Sequence, residues 1–231
     1  MPDHLVFTLT ANLAAMGDLA GHERRGTLTW PGRSALLGLL GAALGVQRDG
    51  DFAALDALHL AVAVFDAGQP LRDYHTVETV PTAAAKRPQS RPEAMATATK
   101  LRTNTTITLR DYRMAPLYGV AVWAGDLVPL RAALERPGFT LYLGRKSCPL
   151  AAPVGARIVQ ADGPEAALAA LQLPPWRQGW VAKTLVLDAG NAPDAGHTEQ
   201  RHDHPLDRAK WHFSPRQIAF RDVHIAAGNG S

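Results

Sequence analysis

The chain has 231 residues, 46% apolar and 19% charged, with 20 Gly and 17 Pro: enough for one medium domain or two small ones, and too apolar for wholesale disorder. Its longest apolar run, residues 35–46, has 12 residues including three glycines, below the ~18 that span a bilayer, and the N-terminus lacks a basic then apolar leader, so a cytoplasmic, non-membrane protein is expected. The single cysteine, Cys148, excludes an internal disulfide, a paired-thiol redox motif and a multi-thiolate zinc site, and the net charge of +3 is unevenly spread: residues 81–110 carry +5, and the remaining 201 sum to −2.

In chain order, alternation in His4–Thr10 predicts a first strand. A glycine-punctuated polar loop over residues 17–32 follows, containing His22, Glu23, Arg24 and Arg25. Pro31-Gly32-Arg33-Ser34 opens a Leu-rich helix to Gly45, with Ser34 as its expected cap. Gly38, Gly41 and Gly45 share one face of that helix, which predicts close approach of another element, a sheet. Residues 52–58 read as a short helix and 60–65 as a buried strand.

From Leu71 to Thr106 no period persists, so the segment is either a functional protrusion or a solvated, disordered loop. Strands are expected again at 105–110, 117–124 and 139–143, with a helix over 126–135. The order β, α, β, excursion, β, α, β is an α+β, ferredoxin-like arrangement (βαββαβ), shared with RNA-recognition domains, with an insertion between strands 2 and 3. Beyond it, strands at 157–161 and 183–188, a helix at 164–171, a polar loop at 189–205 and a strand at 218–225 suggest a smaller β-rich unit.

Several features could carry chemistry. Lys86, Arg87, Arg91, Lys100, Arg102 and Arg110 on the excursion could neutralise phosphates, with Tyr74 and Tyr112 at its base to stack bases. The free amides and guanidinium at Arg33 and Ser34 suit an anion, or the segment is an ordinary helix start. Tyr74 and His75, with Lys100 as charge stabiliser, could serve metal-independent RNA cleavage; adjacent strand residues face opposite ways, which favours binding without chemistry. Gly144-Arg145-Lys146-Ser147 could cradle phosphate or simply turn the chain, and it does not match a nucleotide-hydrolysis loop. His197, His202 and His204, with Glu199, Asp203 and Asp207, lack metal-site spacing and read as a solvated loop. Cys148 reads as a structural thiol.

Taken together and in order, Pro31-Gly32-Arg33-Ser34 with its helix to Asp49, Leu71-Arg72-Asp73-Tyr74-His75-Thr76-Val77, Arg110-Asp111-Tyr112, Leu141 to Leu150 and Ser214-Pro215-Arg216 resemble the CasD family of type I-E CRISPR Cascade subunits, in the RAMP superfamily. The resemblance spans essentially the whole chain. It implies a RAMP domain over residues 1–150, with a thumb insertion at about 76–106, and a small β-rich C-terminal domain over 151–231. It also implies a non-catalytic subunit, without cofactor or metal, that caps the 5′ handle of the crRNA. Its partners would be the backbone subunit CasC, the large subunit CasA and, through the complex, target DNA.

The RNA contacts expected on this basis are Arg24, Arg25, Arg33, Ser34, Tyr74, His75, Lys86, Arg87, Arg91, Lys100, Arg102, Arg110, Tyr112, Arg145 and Lys146. One departure is Ala14-Ala15-Met16-Gly17, where the family often has a Gln-Ala-Trp-Gly-like tetrad. Two rival readings are a metal-independent endoribonuclease processing precursor crRNA, as in type I-C relatives, and a docking module whose basic arm binds an acidic subunit.

Overall fold

The computed structural model describes every residue except 19–20, 22, 82–86, 88, 99–102, 208–209, 211 and 229–231. In chain order the elements are β1 (Asp3–Thr10), β2 (Leu13–Ala14), β3 (Arg24–Arg25), α1 (Arg33–Leu44), α2 (Ala53–Asp56), β4 (His59–Asp66) and β5 (Gln69–Thr79). They continue with α3 (Arg91–Thr97), β6 (Asn104–Met114), β7 (Leu117–Trp123), α4 (Leu127–Glu135), β8 (Arg157–Gln160), α5 (Pro164–Leu168), β9 (Val181–Asp188), β10 (His197–Asp207) and β11 (His212–Ala226).

Among the described residues, seven strands form one sheet in the order β10-β11-β9-β4-β7-β1-β8, with every neighbouring pair antiparallel. β1, β4 and β7 are buried on both faces, which explains their nearly continuous apolar sequences. Leu5, Phe7 and Leu9 point to the core under α1 and α4, whereas Val6 joins Ala61, Ala63 and Leu117 in the core on the α5 side. At ~1.5 to 3 kcal/mol per fully buried large apolar side chain, these two layers supply the main drive for folding. Strands on either side of residue 150 share this sheet: β8 pairs with β1, and β9 with β4. A boundary at 150 therefore does not separate two sheets.

The expected strand at 139–143 is a correction. The sheet position beside β1 belongs to β8, while Gly138 and Phe139 donate their amides to Ala43 and Ala42 at the end of α1. Leu141 and Leu143 are buried against the α1 core, and that is what their alternation records. The polar loop expected over 189–205 is corrected as well, because most of it forms β10, hydrogen-bonded along β11.

Helix α1 also departs from expectation. Its cap is Gly32, in extended conformation, and Ser34 makes no capping bond. Gly38 faces open space; Gly41 is met by the Phe52 ring, 2.7 Å from where a Cβ would sit, and Gly45 ends the helix at φ +75° close to Gly138. The close neighbours are a side chain and a turn rather than a sheet.

The described part of the excursion forms a ribbon. β5 and β6 pair through eleven consecutive residues, from Gln69 with Met114 to Thr79 with Asn104. β2 and β3 flank the near end of β6, making a second, four-stranded sheet. Toward the far end, α3 is capped by Ser90, whose hydroxyl accepts from Glu93 N, while the Glu93 carboxylate accepts from Gln89 N at 2.9 Å. Arg91 ties α3 to β5 through Glu78 O at 2.8 Å.

Candidate nucleic-acid interface

The register of the ribbon sorts the expected contact residues onto two faces. Arg72, Tyr74 and Thr76 lie opposite Asp111, Leu109 and Ile107 on one face, and Leu71, Asp73 and His75 lie opposite Tyr112, Arg110 and Thr108 on the other. β3 runs along β6 with Arg24 beside Leu109 and Arg25 beside Arg110, which puts the two arginines on opposite faces. Tyr74 and His75 therefore stand on opposite sides of a regular strand, and they do not converge on one reacting atom.

On the first face Asp111 takes two arginines. Arg24 donates from Nε and Nη2 at 3.0 and 2.8 Å, and Arg72 donates from Nε at 2.7 Å. The hydrogen bond from Arg72 is the main reason the Asp111 carboxyl lies below its usual range; burial opposes it, and Arg24 adds to the lowering. The same bond holds Arg72 above its ordinary value. Tyr74, 62% exposed, leaves an open aromatic surface on this face.

On the second face Arg110 sits opposite Asp73, whose carboxylate is 3.5 Å from His75 Nδ1. Tyr112 is only 8% exposed and packs with Ala15 and Cys148, and the Arg145 guanidinium covers its ring at 4.5 Å. The expectation that Tyr112 stacks a base is thus corrected: its face is already taken by Arg145. The loop that places Arg145 is tightly specified. Leu143 and Cys148 close it through bonds to Cys148 O and Arg145 O, Ala15 N bonds Leu143 O, and Gly144 adopts φ +86° with no room for a Cβ beside Ala15 O. Arg25 lies beside Arg110, which pairs across the ladder with Asp73, and Arg145, on the ring of Tyr112, is followed by the exposed Lys146. Among the described residues the buried Arg110 Nε and Arg145 Nη1 have no hydrogen-bond partner, and no ion pair joins Arg25, Arg110, Arg145 or Lys146 to a carboxylate.

The start of α1 is the principal correction. Arg33 N donates to Asp203 Oδ2 at 2.8 Å, so the anion position is filled from within the chain. The Arg33 side chain is buried, donating to Asp56 O at 2.7 Å and lying 3.6 Å from Asp188. Arg216 closes the network, gripping Asp203 through Nε and Nη2 at 3.0 and 2.9 Å and Asp188 through Nη1. Burial depresses Arg33, with Asp188 opposing. Burial also acts to lower Arg216, but Asp203 and Asp188 outweigh it and hold it above its ordinary value. Two arginines and two aspartates neutralise one another, leaving Arg33 and Ser34 no free anion site. Sequence reasoning missed Asp188 and read Asp203 as part of a solvated loop; the only signal was the place of Ser214-Pro215-Arg216 in the motif series.

Of the remaining expected contacts, Arg87 is exposed and Arg91 is bonded to Glu78 O, whereas Lys86, Lys100 and Arg102 lie outside the described residues. Met16, at the position of the family's tryptophan, is buried in the α1 core and presents no ring to a ligand.

Residues 4–219 match the family described as "CRISPR-associated protein (Cas_Cas5)". The chain is 34% identical over 186 residues to the Escherichia coli (strain K12) protein "CRISPR system Cascade subunit CasD", covering 73% of this chain and 76% of that protein. Among solved structures it resembles a chain of a "CRISPR RNA-guided surveillance complex", with a TM-score of 0.71 and 26% identity over 97% of this chain and 91% of the other. It also shares the fold of a structure described as "Crystal structure of Cas protein", with a TM-score of 0.57 and 22% identity over 96% and 95% of the two chains. A match along nearly the whole length, together with the ordered motifs that build the ribbon base and the α1 network, shows that the chain belongs to the Cas5 family of CRISPR-associated proteins, together with the Cascade subunit CasD.

Proposed function

We propose that this chain is a non-catalytic subunit of a type I-E Cascade surveillance complex, in which it binds and caps the 5′ handle of the crRNA. The strand order β4-β7-β1-β8, with α1 and α4 as crossovers, supports reading the core as a ferredoxin-like RAMP domain, and the β5–β6 ribbon as its thumb. The observation that carries the reading is the basic cluster at the ribbon base: Arg25 beside Arg110, and Arg145 on the Tyr112 ring followed by the exposed Lys146. Such a cluster suits the backbone of a single RNA strand, with the exposed Tyr74 ring open for stacking on the other face.

In the cytoplasmic complex, CasC and CasA would be its neighbours, and target DNA would be engaged through base pairing with the guide. The test is filter binding of handle-bearing and handle-less RNA to the protein assembled with its partner subunits, at moderate salt. Preference for the handle is expected, and its loss in an Arg110→Ala, Lys146→Ala variant that still assembles. Equal binding of both RNAs would overturn the reading. So would cleavage of precursor crRNA in EDTA that His75→Ala abolishes.

A further inference from the structure

The described tryptophans are placed unevenly. Trp30 packs edge-on against Phe220, and Trp123 lies 5.6 Å from each of the His4 and His59 rings. Trp176 and Trp180, by contrast, are 61% and 38% exposed. They flank a tight turn in Pro174-Pro175-Trp176-Arg177-Gln178-Gly179-Trp180, just before β9. The turn is held rigidly. Its two prolines restrict the backbone, and Arg177 is engaged on three sides. Arg177 Nη1 lies 3.3 Å from Asp66 Oδ2, Nη2 donates to Ala115 O at 2.7 Å, and the guanidinium lies 4.3 Å from the centre of the Trp180 ring. Asp66 ends β4 and Ala115 lies between β6 and β7, so the turn is fastened to the root of the ribbon.

Beside it opens a pocket of about 200 Å³, lined by Gln172, Leu173, Gln178, Gly179, Ala227 and Gly228. No lining residue is charged. Each glutamine carboxamide offers both donors and an acceptor.

We propose that this turn and pocket form a nucleobase site. A base of a single-stranded nucleic acid stacks on the exposed ring of Trp176, and the edge of a base in the pocket is met by Gln172 and Gln178. The charge of Arg177 is spent on Asp66, and the pocket offers no cation for a phosphate, so the site takes bases rather than backbone. A protein anchor side chain would call for an apolar pocket; here carboxamides and backbone edge the opening. Because the turn is already fixed, stacking costs little ordering. The site is separate from the cations of the ribbon base and does not depend on which strand they hold.

The test titrates the full chain with short oligouridylate and oligothymidylate, reading both binding and tryptophan fluorescence. Both strands should quench the wild-type signal if the base alone is read, and only the ribonucleotide should do so if the sugar is read too. Trp176→Ala should weaken binding by about tenfold while leaving the slope of log affinity against log salt unchanged, since no phosphate contact is lost. Trp176→Phe and Trp180→Phe keep an aromatic face, so they should retain most of the affinity and guard against a folding defect. Replacing Arg110 and Lys146 should instead flatten the salt slope, which separates failure at the ribbon base from failure here. Unchanged oligonucleotide affinity in Trp176→Ala, with no quenching in the wild type, would overturn the proposal and leave the turn as a protein-docking surface.

Discussion

Two places in this molecule concentrate arginine, and they treat the charge in opposite ways. At the start of α1, Arg33 and Arg216 meet Asp188 and Asp203 in a largely buried network. At the ribbon base, Arg25 lies beside Arg110, which stands across the ladder from Asp73, and Arg145 covers Tyr112 next to the exposed Lys146. Both motifs look like anion sites in one dimension, because an arginine at a helix start and an arginine in a glycine turn have the same sequence appearance. What separates them is whether a distant strand returns a carboxylate. β10 does so for α1, and nothing described does so for the second face of the ribbon.

The largest effect that could break this contrast is Asp203→Ala. It strips Arg216 of one partner and exposes the amide end of α1, and should cost about 3 to 5 kcal/mol in urea unfolding, with RNA affinity of the folded protein unchanged. A well-folded variant with weakened RNA binding would show that the α1 network belongs to the interface after all. Gly144→Ala comes next: φ +86° and the Ala15 carbonyl leave no place for a methyl group. A loss of about 1 to 3 kcal/mol is expected in thermal or urea unfolding, together with reduced RNA affinity as Arg145 and Lys146 shift.

Replacing Arg25, Arg110 and Lys146 together by Ala should sharpen the contrast from the other side. Stability should fall little, while the salt slope for single-stranded RNA drops by about 0.7 per lost phosphate contact. Smallest is the pH response of the opposite face. Because Asp111 titrates below its usual value, its ion pairs with Arg24 and Arg72 are fully present above the ordinary carboxylate range and are lost only as pH falls through its lowered value. A carboxyl titration followed by NMR should place the Asp111 midpoint below the ordinary aspartate value of 3.8. A midpoint at or above that value would mean that the two arginines are free to bind RNA.

Much of the central sheet was legible in the sequence because burial on both faces wrote itself as apolar runs, as in residues 60–65 and 117–123. Within the ribbon the strand expected at 105–110 falls in β6, but β5 and β10 were not legible. Both are mostly exposed, so their side chains carry no apolar period even though their backbones pair residue by residue. The segment 139–143 misled in the reverse direction: its alternating leucines pack into a core, while neighbouring amides serve the end of a helix. At the candidate site, composition located the basic excursion and motif order located its base. The pairing of Arg33 with Asp203, 170 residues apart, and the burial of Tyr112 under Arg145 are long-range facts with no local trace.

The eleven-pair ladder of the ribbon has a mechanical consequence. At ~3.3 Å per residue it is a beam roughly 35 Å long, without a bulge along its length. Its root is bolted by Arg113, which donates to Ala67 O and Gly68 O, and by Arg177 across Asp66 and Ala115. A push on the far end of such a beam reaches the main sheet as torque about those two arginines.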